Sequence, residues 1–244
     1  GVGEGNLPYT FPVDFLMCND ERVKELENSK IKNLALWNCP ISGTGLLYLK
    51  NVPLEGLNLD GSSIEVDNFK NLKQIKTLES IHLGRTMIDA KALKSMGASS
   101  KYVKLTFDGC RAIDDQAVEV IVNQYPNLEY LSLSGTPVTS KSFKLLGKLK
   151  KLIILNVGRT SFSDSEVASI IHLPLDRLNL SNTGITNQGV KELLKIPTLT
   201  TIDLYNCPGV TRVFVRDTRR KRRGLRLIFQ QPLNGELKEL APEF

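Results

Sequence analysis

The sequence predicts an α/β solenoid, a stack of strand–turn–helix units that share one core. Three observations predict it: a short apolar pattern recurs eight times, the copies are almost evenly spaced, and a helix-start signal follows most of them. With h for an apolar residue, the pattern h-x-x-h-x-h-x-x-[C/T/S] reads IKNLALWNC, LESIHLGRT, LEYLSLSGT, LIILNVGRT, LDRLNLSNT and LTTIDLYNC, with LEGLNLDGS and YVKLTFDGC as looser copies. Its last apolar position falls at Leu36, Leu59, Leu83, Phe107, Leu133, Val157, Leu180 and Leu204, at intervals of 23 to 26 residues.

The chain opens on a cap over residues 1–30, in which NDERVKELENSK (19–30) predicts a helix capped by Asn19 or Asp20. In each unit the h-x-h alternation has period two, which predicts a short strand with one buried face. A further apolar residue follows (Ile41, Ile64, Ile88, Ile113, Val138, Phe162, Ile185, Val210). Next comes a capping type in most copies, such as Ser42, Asp89, Asp114, Thr139, Ser163 or Thr186, whose oxygen can accept from free helix amides. Apolar pairs at helical spacing complete the unit: Val118 and Ile121, Phe143 and Leu146, Val167 and Ile170, Val190 and Leu193. No unit buries its apolar side alone; stacked, they share a continuous core.

The helical pattern fails after Val210. Val213, Phe214 and Val215 favour strand over helix, so RVFVRDTRRKRRG (212–224) reads as a basic loop. Counting 23 residues on from Ile202 and Leu204 lands on Leu225 and Leu227, which predicts a ninth, degenerate strand with Gln230 in place of the turn residue. A hairpin of 212–216 with 225–229 is the alternative. The polar stretch QQPLNGELKELAPEF ends a C-terminal cap over 212–244.

Over residues 31–211 this pattern resembles the leucine-rich repeat family, particularly the cysteine-containing type and the similar bacterial repeats with Thr at the same position. The resemblance implies a curved right-handed superhelix with a parallel sheet on its concave face and short helices on its convex face. It implies that the column Cys39, Ser62, Thr86, Cys110, Thr136, Thr160, Thr183 and Cys207 caps buried backbone groups in the turn. The family is mostly one of binding scaffolds, from ubiquitin-ligase substrate receptors to bacterial surface proteins and effectors, so fold alone selects no role.

Charge narrows the choice of partners. Residues 212–224 hold seven basic residues and one acid, and the remainder carries 25 of each, so one short segment holds the whole net charge of +6. The body is therefore no generally basic nucleic-acid-binding domain. Five consecutive cations, Arg219, Arg220, Lys221, Arg222 and Arg223, mark a second class of function: binding a polyanion such as nucleic acid or an acidic membrane. Aromatic interleaving, which nucleic-acid binding favours, is confined to Phe214. RRKRRG also fits a proprotein cleavage site. No run of about 18 apolar residues marks a membrane span, and GVGEGNLPYT lacks the pattern of a signal peptide. A start at Gly rather than Met suggests a processed product.

Chemistry finds little support. The chain has no Walker loop, GxGxxG after a strand, GxSxG or HExxH, and no CxxC pair. His82 and His172 occupy different kinds of position, so neither a metal nor a cofactor is expected, nor an enzyme. Asp114 and Asp115 fall at helix starts, where the dipole explains them. Three cysteines share one structural column, and Cys39 and Cys110 would lie roughly 15 Å apart, too far to pair. They read as buried reduced thiols, which favours a reducing compartment. Cys18 reaches Cys39 only if its backbone stacks as a preceding turn.

Alternation aims the x residues of each strand at the concave side. Most are small and polar, and against that floor stand Trp37, Tyr130, Tyr205, His82 and Arg177, with Asp60 and Asp108 in the last strand column and Arg85 and Arg159 one residue beyond it. Exposed aromatics and Arg are frequent interface anchors. The leading expectation is a non-enzymatic interaction scaffold for a protein or peptide ligand on this face. An alternative place for Trp37 is beneath an N-terminal cap built from LPYTFPVDFL.

Overall fold

The computed structural model describes residues 9–10 and 18–230. Most of LPYTFPVDFL and the tail 231–244 lie outside the described residues. Ten parallel strands form one sheet in chain order: β1 (Tyr9–Thr10), β2 (Asn33–Ala35), β3 (Gly56–Asn58), β4 (Ser80–His82), β5 (Lys104–Thr106), β6 (Tyr130–Ser132), β7 (Ile154–Asn156), β8 (Arg177–Asn179), β9 (Thr201–Asp203) and β10 (Arg226–Ile228). From β2 to β10 the central residues pair in one row, from Leu34 through Leu131 to Leu227, and each is at most 3% exposed. The opposite side carries α1 (Asp20–Lys24), three 3-10 segments (Gly45–Leu49, Val66–Gln74 and Asp164–Glu166), α2 (Ala90–Met96), α3 (Asp115–Gln124), α4 (Ser140–Leu146), α5 (Val167–Ile170), α6 (Asn187–Leu193) and α7 (Arg212–Lys221). Helices are about 10 Å wide and strands about 4.8 Å apart, so the helical side fans outward and the strands line the concave side. This is the α/β leucine-rich repeat solenoid that the repeat predicts.

The turn after each strand repeats in detail. Asn38, Gly61, Arg85, Gly109, Gly135, Arg159, Asn182 and Asn206 all have φ between 51 and 70°. Glycine and asparagine tolerate that backbone best; the two arginines depart from the rule. Thr86, Thr136, Thr160 and Thr183 donate to the carbonyl three residues earlier. Ser62, Cys110 and Cys207 instead reach back to the carbonyls of Leu36, Leu83 and Leu180 in the preceding unit.

The helix caps Asp89, Asp114, Thr139 and Thr186 accept from the first helical turn as expected. Ser42 accepts from the Thr44 amide at 3.4 Å, and its own amide and hydroxyl both donate to Asp20, each at 2.8 Å. Asp20 also accepts from the amides of Gly43 and Gly45. Asp115 and Asp164 repeat the device, accepting from the Thr139 and Thr186 amides at the start of the next unit. Burial raises the Asp20 carboxyl, but the hydrogen bonds from Gly45, Ser42 and Gly43 outweigh it and hold the pKa below the usual value.

Two expectations about the ends are corrected. Cys18 and Cys39 form a disulfide, with Cα atoms 5.7 Å apart, whereas Cys110 and Cys207 are free and buried. β1 pairs with β2, so the chain before α1 does stack as a preceding turn and brings Cys18 to Cys39. The case for a reducing compartment, built on all-reduced thiols, falls with it.

The second correction concerns 212–221, which form the helix α7 rather than a loop or half of a hairpin. Thr211 caps it by accepting from the Phe214 amide, and Val215 and Thr218 face the core. The strand preference of Val-Phe-Val yields because the last repeat needs an apolar face to cover it. β10 then pairs parallel with β9. RRKRRG therefore runs through helix and turn, unlike the extended chain of a protease substrate.

Candidate functional site

The concave floor is small and polar because the fold uses most of its side chains. Asn58, Asn156, Asn179 and Asp203, each the last residue of a strand, accept the amide two residues on. β4 ends in His82, and there Asp60 accepts the Gly84 amide at 2.6 Å instead. A Cβ at Gly84 would stand 3.0 Å from the Asp108 carbonyl, and one at Gly158 would stand 2.7 Å from the Ser181 hydroxyl. Asp108 accepts from the Ser132 hydroxyl at 2.6 Å and from the Asn156 side-chain amide at 3.5 Å. Asp60 and Asp108 are thus committed to the floor.

Against this floor the register builds one continuous row of large side chains. Lys104, Tyr130, Ile154 and Arg177 are successive neighbours across β5 to β8. The Lys104 ammonium sits 4.8 Å from the centre of the Tyr130 ring, a cation–π pair. Arg177 is exposed and lies 3.4 Å from Asp176. Burial lowers the Lys104 pKa and raises that of Tyr130. His82 stands half-buried on β4; burial first, then Lys104, lowers its pKa and favours the neutral ring at pH 7, against the pull of Asp60 and Asp108. Lys104 and Ile154 are not among the residues the sequence pattern marks; the signal for them is that they flank Tyr130 in the register.

The other predicted residues are not gathered with this row. Trp37, 45% exposed, and Tyr205, 40% exposed, follow β2 and β9, seven strands and about 34 Å apart. Arg85 and Arg159 are exposed at the rim, in the left-handed turns after β4 and β7. Among the described residues no group of three His, Cys, Asp or Glu is placed to hold a metal, and no helix is long and apolar enough to cross a membrane.

The five consecutive cations separate by role. The Arg222 guanidinium is spent on the backbone, donating to the carbonyls of Leu194 (2.8 Å), Ile196 (3.1 Å) and Leu199 (2.8 Å). Arg219 donates to the Leu227 carbonyl and ties α7 to β10. Arg220, Lys221 and Arg223 are exposed.

No protein-family model matches the chain. Among solved structures, an internalin from Listeria monocytogenes is similar, with a TM-score of 0.51 and 18% identity, covering 78% of this chain and 66% of that one. At that identity the likeness bears on the fold alone, and the fold is a leucine-rich repeat solenoid.

Proposed function

We propose that the protein is a non-enzymatic scaffold that holds a protein or peptide ligand on the concave face of its sheet. The observation that carries this reading is the row Lys104–Tyr130–Ile154–Arg177. It is an aromatic and an aliphatic side chain flanked by cations, on a floor several of whose own polar groups are already bonded. Interface anchors have this character, with Tyr and Arg prominent among them. His82, Arg85 and Arg159 border the row, while Trp37 and Tyr205 provide outlying contacts for a ligand that spans the sheet. We assign the repeats to the short cysteine- and threonine-bearing type over residues 31–211, between caps at 1–30 and 212–244; the bonded turn column supports that assignment.

An affinity pull-down comparing the native protein with a Trp37→Ala/Tyr130→Ala/Tyr205→Ala variant tests the reading. A partner held by the native protein and lost by the variant is expected. Equal capture by both contradicts the concave-face assignment.

A further inference from the structure

The cations of the C-terminal segment gain a new grouping once 212–221 is a helix. Val215 and Thr218 face the core, and Arg222 at the C-cap turns inward to the carbonyls of α6 and the loop after it. Arg212, Arg216 and Arg220 recur every four residues on the opposite, solvent side, about 6 Å from one to the next. Arg223 continues this edge past the helix end. Val213 lies on the same side, three residues before Arg216 and seven before Arg220, and is 58% exposed.

Nothing in the fold calls for this stripe. Closure of the last repeat is the work of Val215, Thr218, Arg219 and Arg222. Like charges four apart on a helix repel, and Arg212 stands in a first turn that holds no acid, where the helix dipole disfavours a cation. Some cations of the convex side meet acids, as Lys91 meets Asp67 and Lys195 meets Glu192. On α7, among the described residues, only Arg216 does, at Asp217, 3.1 Å away.

We propose that the solvent face of α7 is a docking surface for an anionic phospholipid bilayer. Arginines of one sign arranged along a helix lying flat at the end of the solenoid complement a plane of phosphate and carboxylate headgroups. An exposed valine among them provides the apolar contact that interfacial helices insert at the headgroup boundary. Exposed aromatic platforms, which single-stranded nucleic acid prefers, are missing from this face: Phe214, the only aromatic residue of α7, packs against the core. This surface is separate from the concave row and independent of its reading.

Vesicle co-sedimentation tests it, with phosphatidylcholine vesicles containing about one third phosphatidylserine. The native protein should sediment with these vesicles at low salt, detach at high salt, and ignore pure phosphatidylcholine. Each arginine is worth on the order of fivefold in partitioning, so Arg212→Ala/Arg216→Ala/Arg220→Ala should weaken binding about a hundredfold. Val213→Ser should weaken it severalfold with no change in charge. Thermal melts of both variants should match the native protein, because all four side chains face water. Failure of the native protein to bind the anionic vesicles overturns the proposal, as does undiminished binding by the triple variant. Tighter binding to duplex DNA or single-stranded RNA than to vesicles at equal phosphate concentration would reassign the surface to nucleic acid.

Discussion

The two ends of the solenoid are closed by opposite chemistry. At the N-terminal end a carboxylate, Asp20, gathers the amides and hydroxyl that open the next unit's convex segment, and a disulfide locks Cys18 to Cys39 beside it. At the C-terminal end a guanidinium, Arg222, gathers the carbonyls that leave α6, with no covalent tie. The polarity follows from the helices, whose first turns present N–H groups and whose last turns present C=O groups. Asp20 faces the amides that open a convex segment, as Asp115 and Asp164 do within the stack, and Arg222 faces the carbonyls that end one. What the comparison exposes is surplus: at the C-terminal end Arg222 and Arg219 bond backbone carbonyls, whereas Arg212, Arg220 and Arg223 stand exposed.

Substitutions at the two ends should accordingly form a graded series in urea unfolding. Cys18→Ala/Cys39→Ala should cost the most, about 3 kcal/mol, since it frees a closed loop of the unfolded chain; hydrogen exchange should rise first in β2 and β3. Asp20→Ala should cost about 2 kcal/mol by leaving three amides and a hydroxyl without their charged acceptor. Arg222→Ala should cost about 1.5 kcal/mol, with faster exchange confined to α6 and β9. Arg212→Ala/Arg216→Ala/Arg220→Ala should stay within about 0.5 kcal/mol of the native protein. A large loss in that last variant would break the distinction between spent and surplus charge.

Acid sharpens the same contrast. The Asp20 and Asp115 carboxyls are held below their ordinary 3.8 by hydrogen bonds that outweigh burial. A folded pKa below the unfolded one means their contribution is present above the unfolded value and fades as pH falls through the folded one. Asp20→Asn should therefore flatten the stability profile below about pH 4. The Arg222 contacts involve no carboxylate, so Arg222→Ala should lower the whole profile without changing its shape.

The strands were legible because every interior position recurs with the repeat, so Leu34, Leu131 and Leu227 announce their own register. The helix α7 was not, since its Val-Phe-Val run prefers strand, and only the need to cover the last repeat reverses that choice. The Cys18–Cys39 bond was conditional on how the residues before Cys18 stack, which no local pattern encodes. On the concave face the columns could be read, but not which members were free to bind. Asp60 and Tyr130 look equally available in sequence, yet the Gly84 amide claims one and the register places the other between Lys104 and Ile154. Likewise Arg222 and Arg220 are neighbours in one basic run with opposite fates.

The central claim is that the concave row is the working surface, and it is tested most directly by equilibrium affinity for a captured ligand. Measured by calorimetry, Tyr130→Ala/Arg177→Ala should weaken binding by about thirtyfold or more, while Arg212→Ala/Arg216→Ala/Arg220→Ala leaves it unchanged. Native affinity in the Tyr130→Ala/Arg177→Ala protein would contradict the account.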